Sequence, residues 1–267
     1  SDQAALWAIG AEDWARDTLI IDAQESVIDS LDEAWALELP PLPIDHGNAI
    51  AVGQIIGSLE DMQGRLNINN LVEQGQPNQV WYNAFQKLIA DLQLDPALID
   101  NLVDWLDTDI DVSFPNGAED DTYTAREPSH RAANQYITDP SELLAIEGFD
   151  REAYALLKPH VAALPPGTTV NINTATPQVI MSLAPGVSAF DAEAIVEARV
   201  NEPFEDPADL DGFLDPDAYG LVEFSSSYFR ASVIAQLGST RFTMYSLLHR
   251  DANAQTVYTL FRSYSAD

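Results

Sequence analysis

NAIAVGQIIGSLED, residues 48–61, is a run of branched and small apolar residues bounded by turn formers. It reads as strands or a hairpin with Gly53 or Gly57 at the bend. Alone it cannot form a stable sheet, because one hairpin leaves too much backbone and apolar surface uncovered. The other strand-like runs lie at the far end of the chain: EFSSSYFRASVIAQ (223–236), TRFTMYSLLHR (240–250) and QTVYTLFRSYS (255–265). GS at 238–239 and DANA at 251–254 separate them as turns. The sheet begun at 48–61 must therefore be completed from the C-terminus.

Between these β regions the pattern is helical. Short amphipathic stretches at 78–93, 96–107, 139–148, 150–162, 176–184 and 189–200 are punctuated by proline, asparagine and aspartate. This block is roughly 150 residues long, the size of a domain in its own right. Ahead of the first β run, residues 2–37 read as one long helix. Leu6, Ile9, Ile20, Ala23, Val27, Leu31 and Ala34 recur at helical spacing, and PPLP at 40–43 ends the run. The fold class is α+β: a long N-terminal helix on an antiparallel sheet, interrupted by an all-α domain of helical hairpins. The domain reading is 1–65 with 223–267 for the core, and 66–222 for the insertion.

Two segments mark the insertion: RLNINNL (65–71) and VNINTAT (170–176). Asparagine tolerates turn geometry and caps helices, so both read as cap-and-turn segments without chemistry. After the second, Pro177 to Val200 resembles a helix-hairpin-helix, with Leu183 closing one helix, Gly186 turning, and Ala192 and Ile195 on the buried face of the next. Ser188 replaces the second glycine, and Asp191 stands where basic residues would meet a phosphate. The turn suits close helix packing better than DNA.

Charge excludes more. The 267 residues carry 43 acidic against 12 basic side chains, a formal net charge of −31, and only Lys87 and Lys158 are lysines. Such a surface repels nucleic acid and anionic lipid and attracts cations or basic partners. With no cysteine there are no disulfides, thiolate metal sites or cysteine nucleophiles. His46, His130, His160 and His249 are scattered, and the chain has no HExxH, GxSxG or phosphate loop. Catalysis is not expected.

DWLDTDIDVSFPNGAEDDTY is the densest acidic stretch, with seven carboxylates: Asp104, Asp107, Asp109, Asp111, Glu119, Asp120 and Asp121. So many anions in one loop repel unless the loop is solvated or holds a cation, and calcium takes six to eight oxygens in flexible geometry. The spacing opens like an EF-hand, yet Val112 stands where that loop needs glycine and Glu119 comes one position late. Both a solvated loop and a calcium loop remain open on spacing alone. Asp104 lies on a helical stretch and is the weakest ligand candidate.

SLDEAW (30–35), DMQGRLNINNL (61–71), LVDWLDTD (102–109), GAEDDTY (117–123), AANQYITDPSELLAIEGF (132–149) and VNINTAT together resemble the K-type minor pseudopilins of bacterial type II secretion. The resemblance spans most of the chain. It implies a pilin-like core with a large helical insertion, and calcium at the WLDTD and GAEDD segments. Asp107, Asp109, Glu119 and Asp120 are then the main ligand candidates, with Asp111, Asp121 and Asn134 as further ones. It also implies a non-enzymatic protein at the pseudopilus tip that starts assembly with I-type and J-type minor pseudopilins. Partner contact would use the N-terminal helix, with Trp7, Trp14 and Trp35 as aromatic anchors or core residues. Secreted proteins are a further candidate partner. The family's membrane anchor and processed leader are expected ahead of Ser1, which makes this chain the periplasmic part of an inner-membrane protein. The alternative is a calcium-stabilised adhesion or substrate-recognition module using the insertion as a binding face.

Overall fold

The computed structural model describes residues 2–37, 40–45, 51–251, 253 and 255–264. The chain divides into two compact units, Ser1–Met62 with Phe224–Asp267, and Gln63–Glu223.

In the first unit, helix α1 (Asp2–Glu25) packs on a five-stranded sheet of β1 (Leu42–Asp45), β2 (Ala51–Asp61), β3 (Tyr228–Leu237), β4 (Thr240–Asp251) and β5 (Thr256–Ser263). The strands lie in the order β1-β2-β3-β4-β5, and every pair is antiparallel. β2 and β3 pair from Gly53 opposite Leu237 to Asp61 opposite Phe229. The first and last β segments of the sequence are thus one sheet.

Neither glycine of β2 is a bend; the strand runs unbroken through both. Gly53 is needed for close approach, since a Cβ there would lie 2.1 Å from the Gln236 carbonyl oxygen. The hairpin partner comes from upstream instead. β1 uses part of the proline run, and Pro43 is tolerated because β1 is the edge of the sheet. Residues 48–50 of the quoted stretch, His46, and residues 252 and 254 of the DANA turn lie outside the described residues.

The N-terminal helix is shorter than the sequence suggests, ending at Glu25 rather than near residue 37. Ser26 takes over its own backbone, its hydroxyl donating to the Ile28 carbonyl at 2.9 Å, a local bond that competes with helix continuation. Trp35 is consequently not a helix residue. It is buried in the core edge-on to Phe229, with ring centroids 5.2 Å apart. The buried stripe of α1 also differs from the expected one: it is Ala4, Ala8, Glu12, Ala15 and Leu19, while Leu6, Ile9, Trp7, Trp14 and Ile21 are exposed. Alanines let the helix approach the strands closely.

Glu12, fully buried in that stripe, is held by four bonds from the sheet. The Arg262 guanidinium donates at 2.7 and 2.8 Å, Ser246 at 2.5 Å and Thr259 at 2.6 Å. Burial pushes its carboxyl up, but these bonds win and hold it at about 2. At the far end of the helix, Arg250 donates to Asp22 at 2.7 Å, to Asp29 and to the Ser226 carbonyl at 2.7 Å, and lies 4.8 Å over the Phe229 ring.

The second unit holds helices α2 (Gln79–Asp91), α3 (Ala97–Leu106), α4 (Asp120–Thr124), α5 (Arg151–Leu157), α6 (Pro177–Ser182) and α7 (Ala189–Asn201), joined by 3-10 turns and three two-residue ladders. The stretch 139–148 forms only a 3-10 turn, Pro140–Ala145, and the helix expected over 150–162 stops at Leu157 ahead of Pro159. Each Asn-Ile-Asn begins with a short parallel ladder: Leu66–Asn67 beside Val161–Ala162, and Val170–Asn171 beside Val222–Glu223. In both, the first asparagine accepts the N–H two residues on, at 3.2 Å in Asn67 and 3.0 Å in Asn171. In both, the second asparagine pairs with the backbone of a distant residue as if it were a strand. Asn69 accepts the Ile137 N–H at 3.0 Å and donates to its carbonyl at 2.9 Å; Asn173 does the same with Phe204 at 2.9 and 2.8 Å. The segments are more than caps: they are buried clips that satisfy irregular backbone no sheet or helix reaches.

Two expectations follow. Glu12→Gln leaves Arg262 without its carboxylate and costs about 2–4 kcal/mol at neutral pH. Because the folded carboxyl lies below its unfolded value of 4.5, its stabilisation is present above that value and lost as pH falls toward 2. Urea unfolding at successive pH values should show the two proteins converging over that window. Asn69→Ala removes a clip with buried partners on both sides and should cost about 2–4 kcal/mol by the same measurement. The exposed Asn83→Ala should change little.

Candidate metal centre

Helix α3 is buried on nearly every side, so its polar side chains must find partners inside the unit. Asp100 accepts from the Tyr82 hydroxyl at 2.7 Å and the Asn116 amide at 3.3 Å, and Asn101 donates to the Glu147 carbonyl at 3.0 Å. Asp104 takes the Ser113 N–H between its two oxygens, each at 3.1 Å. A Cβ at Gly117 would lie 2.1 Å from Asp104 Oδ2, which is why the PNG turn ends in glycine. Asp104 clasps the loop.

Asp107 follows as the C-cap of α3, its N–H on the Val103 carbonyl at 2.9 Å. A carboxylate there faces the negative end of the helix dipole, and α3 has no basic residue in its last turn. From the other side, Glu119 is the N-cap residue of α4, accepting the Thr122 N–H on its carbonyl at 2.8 Å, but its side chain makes no cap bond. It is turned inward instead. One carboxylate oxygen each from Asp107, Asp109 and Glu119 lie within 4.8 Å of one another.

Asp107 and Glu119 are only 4% and 3% exposed. Even so, Asp107 Oδ1, both Glu119 carboxylate oxygens and Asn134 Oδ1 have no hydrogen-bond partner. Burial, then the repulsion of Asp109 and Asp104, pushes the Asp107 carboxyl up to about 7. Burial, then Asp104 and Asp107, pushes Glu119 up to about 7 as well. The neighbouring Asp120 amide pulls Glu119 back slightly without a bond of normal geometry. Leaving buried carboxylates charged and unpaired inside a protein is costly, so Asp107 and Glu119 are the residues of this loop whose chemistry best fits a bound cation.

The other candidates are placed differently. Asn134, at φ 46°, donates its amide to the Asp109 carbonyl at 2.6 Å, which leaves its side-chain oxygen as the free atom. Asp120 ties down the following loop, accepting the Ala132 N–H at 3.1 Å and facing Arg131 at 3.6 Å. Asp111 gives its N–H to Asp109 Oδ1 at 2.9 Å, and the side chains of Asp111 and Asp121 are exposed; neither joins the group of three. What the acidic spacing does not announce is the aromatic packing between its flanking residues: Trp105 and Tyr123 meet edge-on at 5.1 Å, and His130 packs on Tyr123 at 5.3 Å. Trp105 and Tyr123 flank the acidic triplets in the chain, the one signal available. The donor set is all oxygen, which suits a hard cation and not zinc. The second acidic group, Asp22, Asp29 and Glu33, already contains the Arg250 guanidinium.

Comparison with known proteins places the chain in a family. Two profiles described as type II secretion system (T2SS), protein K, match residues 64–166 and 170–221. Each match begins at or just before an Asn-Ile-Asn clip. A type II secretion system protein K from Pseudomonas aeruginosa is 32% identical over 262 residues, covering 93% of this chain and 77% of that protein. One from Aeromonas hydrophila is 29% identical, covering 96% and 83%. A crystal structure of the GspK-GspI-GspJ complex from enterotoxigenic Escherichia coli contains a chain that superposes with a TM-score of 0.83 at 26% identity, covering 100% of this chain and 97% of that one. With the family models matching more than half of its length, a 32% identical relative matching nearly all of it and the fold superposing throughout, the chain belongs to the protein K family of type II secretion systems.

Proposed function

We propose that this protein is a non-enzymatic minor pseudopilin that caps the pseudopilus tip and starts its assembly together with I-type and J-type minor pseudopilins. The observation that carries this reading is the end-to-end likeness to a chain of the GspK-GspI-GspJ complex. Supporting it is the fold itself. A pilin-type sheet needs only short turns between adjacent strands, yet β2 and β3 are separated by the whole of Gln63–Glu223. Such bulk suits a subunit that ends a stack rather than one repeated along it. The exposed apolar residues of α1, Leu6, Trp7, Ile9 and Trp14, offer the surface on which partner helices pack. No helix among the described residues is long and apolar enough to cross a membrane, and the reading places this part of the protein in the periplasm, anchored to the inner membrane through a preceding segment.

The cation is structural in this reading. Asp107, Asp109, Glu119 and the Asn134 side-chain oxygen would hold calcium, which supplies the positive charge that two buried carboxylates lack. By linkage, free calcium at a hundred times its dissociation constant adds about 2.7 kcal/mol of stability.

Melting followed by circular dichroism should show the temperature fall in chelator and recover with calcium, and recover less with magnesium, which gives up water reluctantly. Identical melting in chelator and millimolar calcium removes the metal reading. Asp107→Ala and Glu119→Ala should abolish the calcium response, and the exposed Asp17→Asn should keep it. For the assembly reading, size-exclusion chromatography with soluble I-type and J-type domains should give a ternary complex. Three separate peaks at high micromolar concentration would count decisively against it.

A further inference from the structure

The acidic loop carries an unusual apolar feature on its outer side. Ile110, Val112 and Phe114 stand at every second position of this loop, Phe114 at the start of its turn, and are 72%, 58% and 95% exposed. Single exposed apolar residues are ordinary, but three at every second position of one loop are not. The segment is also fastened at several points. Asp111 N–H is on Asp109 Oδ1, Ser113 N–H is on Asp104, the Gly117 N–H is on the Ser113 carbonyl at 2.7 Å, and the Asn134 amide is on the Asp109 carbonyl at 2.6 Å. Asp109 is at once a member of the carboxylate group and the clasp of the apolar segment, so whatever orders that group also sets the presentation of the three side chains.

The surroundings of this tip select what can cover it. Between Ile110 and Asp121 there is no basic residue; Asp109, Asp111 and Asp121 are exposed, and the half-buried Asp120 faces Arg131 at 3.6 Å. Together with the net charge of −31, this disfavours an anionic lipid surface and favours a protein face with an apolar recess rimmed by lysine or arginine. We propose that Ile110, Val112 and Phe114 form a docking tip for a basic-rimmed apolar recess on another protein, and that cation binding at Asp107, Asp109 and Glu119 holds the tip in its docking conformation. This rests on the metal reading above.

The test uses the full-length protein in secreting cells, with Phe114→p-benzoylphenylalanine as a photo-crosslinking probe and adducts mapped by mass spectrometry. The expected result is one discrete protein adduct whose crosslinked peptide carries apolar residues flanked by lysine or arginine, with the yield reduced at least fivefold by Asp107→Asn. Adducts only to lipid, adducts spread over unrelated peptides, peptides without basic residues, no adduct, or a yield indifferent to Asp107→Asn each overturn the proposal. In parallel, the purified Ile110→Ser/Val112→Ser/Phe114→Ser variant is melted with calcium and with chelator. A calcium response kept by both this variant and the parent, without a protein adduct, sinks the docking tip alone. A calcium response absent from both sinks the metal reading and the cation-held tip with it.

Discussion

The ladder between β2 and β3 is the constraint from which the architecture follows. Its two strands are hydrogen-bonded neighbours from Gly53–Leu237 to Asp61–Phe229, although the whole helical unit separates them in the chain. Closing so long a loop has an entropic cost that grows only slowly with length, so a folded insertion with its own core is tolerated. β3 pairs in turn with β4 and β4 with β5, and these carry Ser246, Arg250, Thr259 and Arg262 to the helix.

A chain this acidic must bury some of its carboxylates, and it does so in two ways. In the sheet unit the buried anions meet arginine: Glu12 with Arg262, and Asp22 and Asp29 with Arg250. The second pair is crowded, and burial followed by the charges of Glu33 and Asp29 lifts Asp22 to about 7 despite Arg250. In the helical unit no described ion pair reaches Asp107 or Glu119, and Asp107 Oδ1 and both Glu119 carboxylate oxygens stay unbonded. The contrast is physical: a guanidinium fits between a helix and a strand, where a planar fork meets fixed acceptors. Three loop carboxylates arriving from different directions suit a spherical cation.

The helical unit has little regular structure, and its irregular backbone is held by side-chain amides. Asn67, Asn69 and Asn70 bond to residues 164–168 and to Ile137, and Asn173 bonds to Phe204. The repeated Asn-Ile-Asn thus reflects a repeated task, a short parallel ladder followed by an amide clip, and the two family profiles divide the unit between the same two segments.

Local pattern and composition were enough to show that the sheet is split, that the insertion is helical, and that the acidic stretch around Asp107 and Glu119 is exceptional. Each of these depends on properties that neighbouring residues carry in the chain: alternation, helical period, charge density. The end of α1 at Glu25, the alanine stripe with Glu12 at its centre, the continuous β2 and the clipping role of the asparagines were decided only in three dimensions. A buried glutamate is legible only beside Arg262, some 250 residues away, and Gly53 only against the Gln236 carbonyl. So too with the acidic stretch: spacing marks seven carboxylates as alike, and only packing separates Asp104, bonded to its own loop, from Asp107 and Glu119, which are desolvated with oxygens left unbonded.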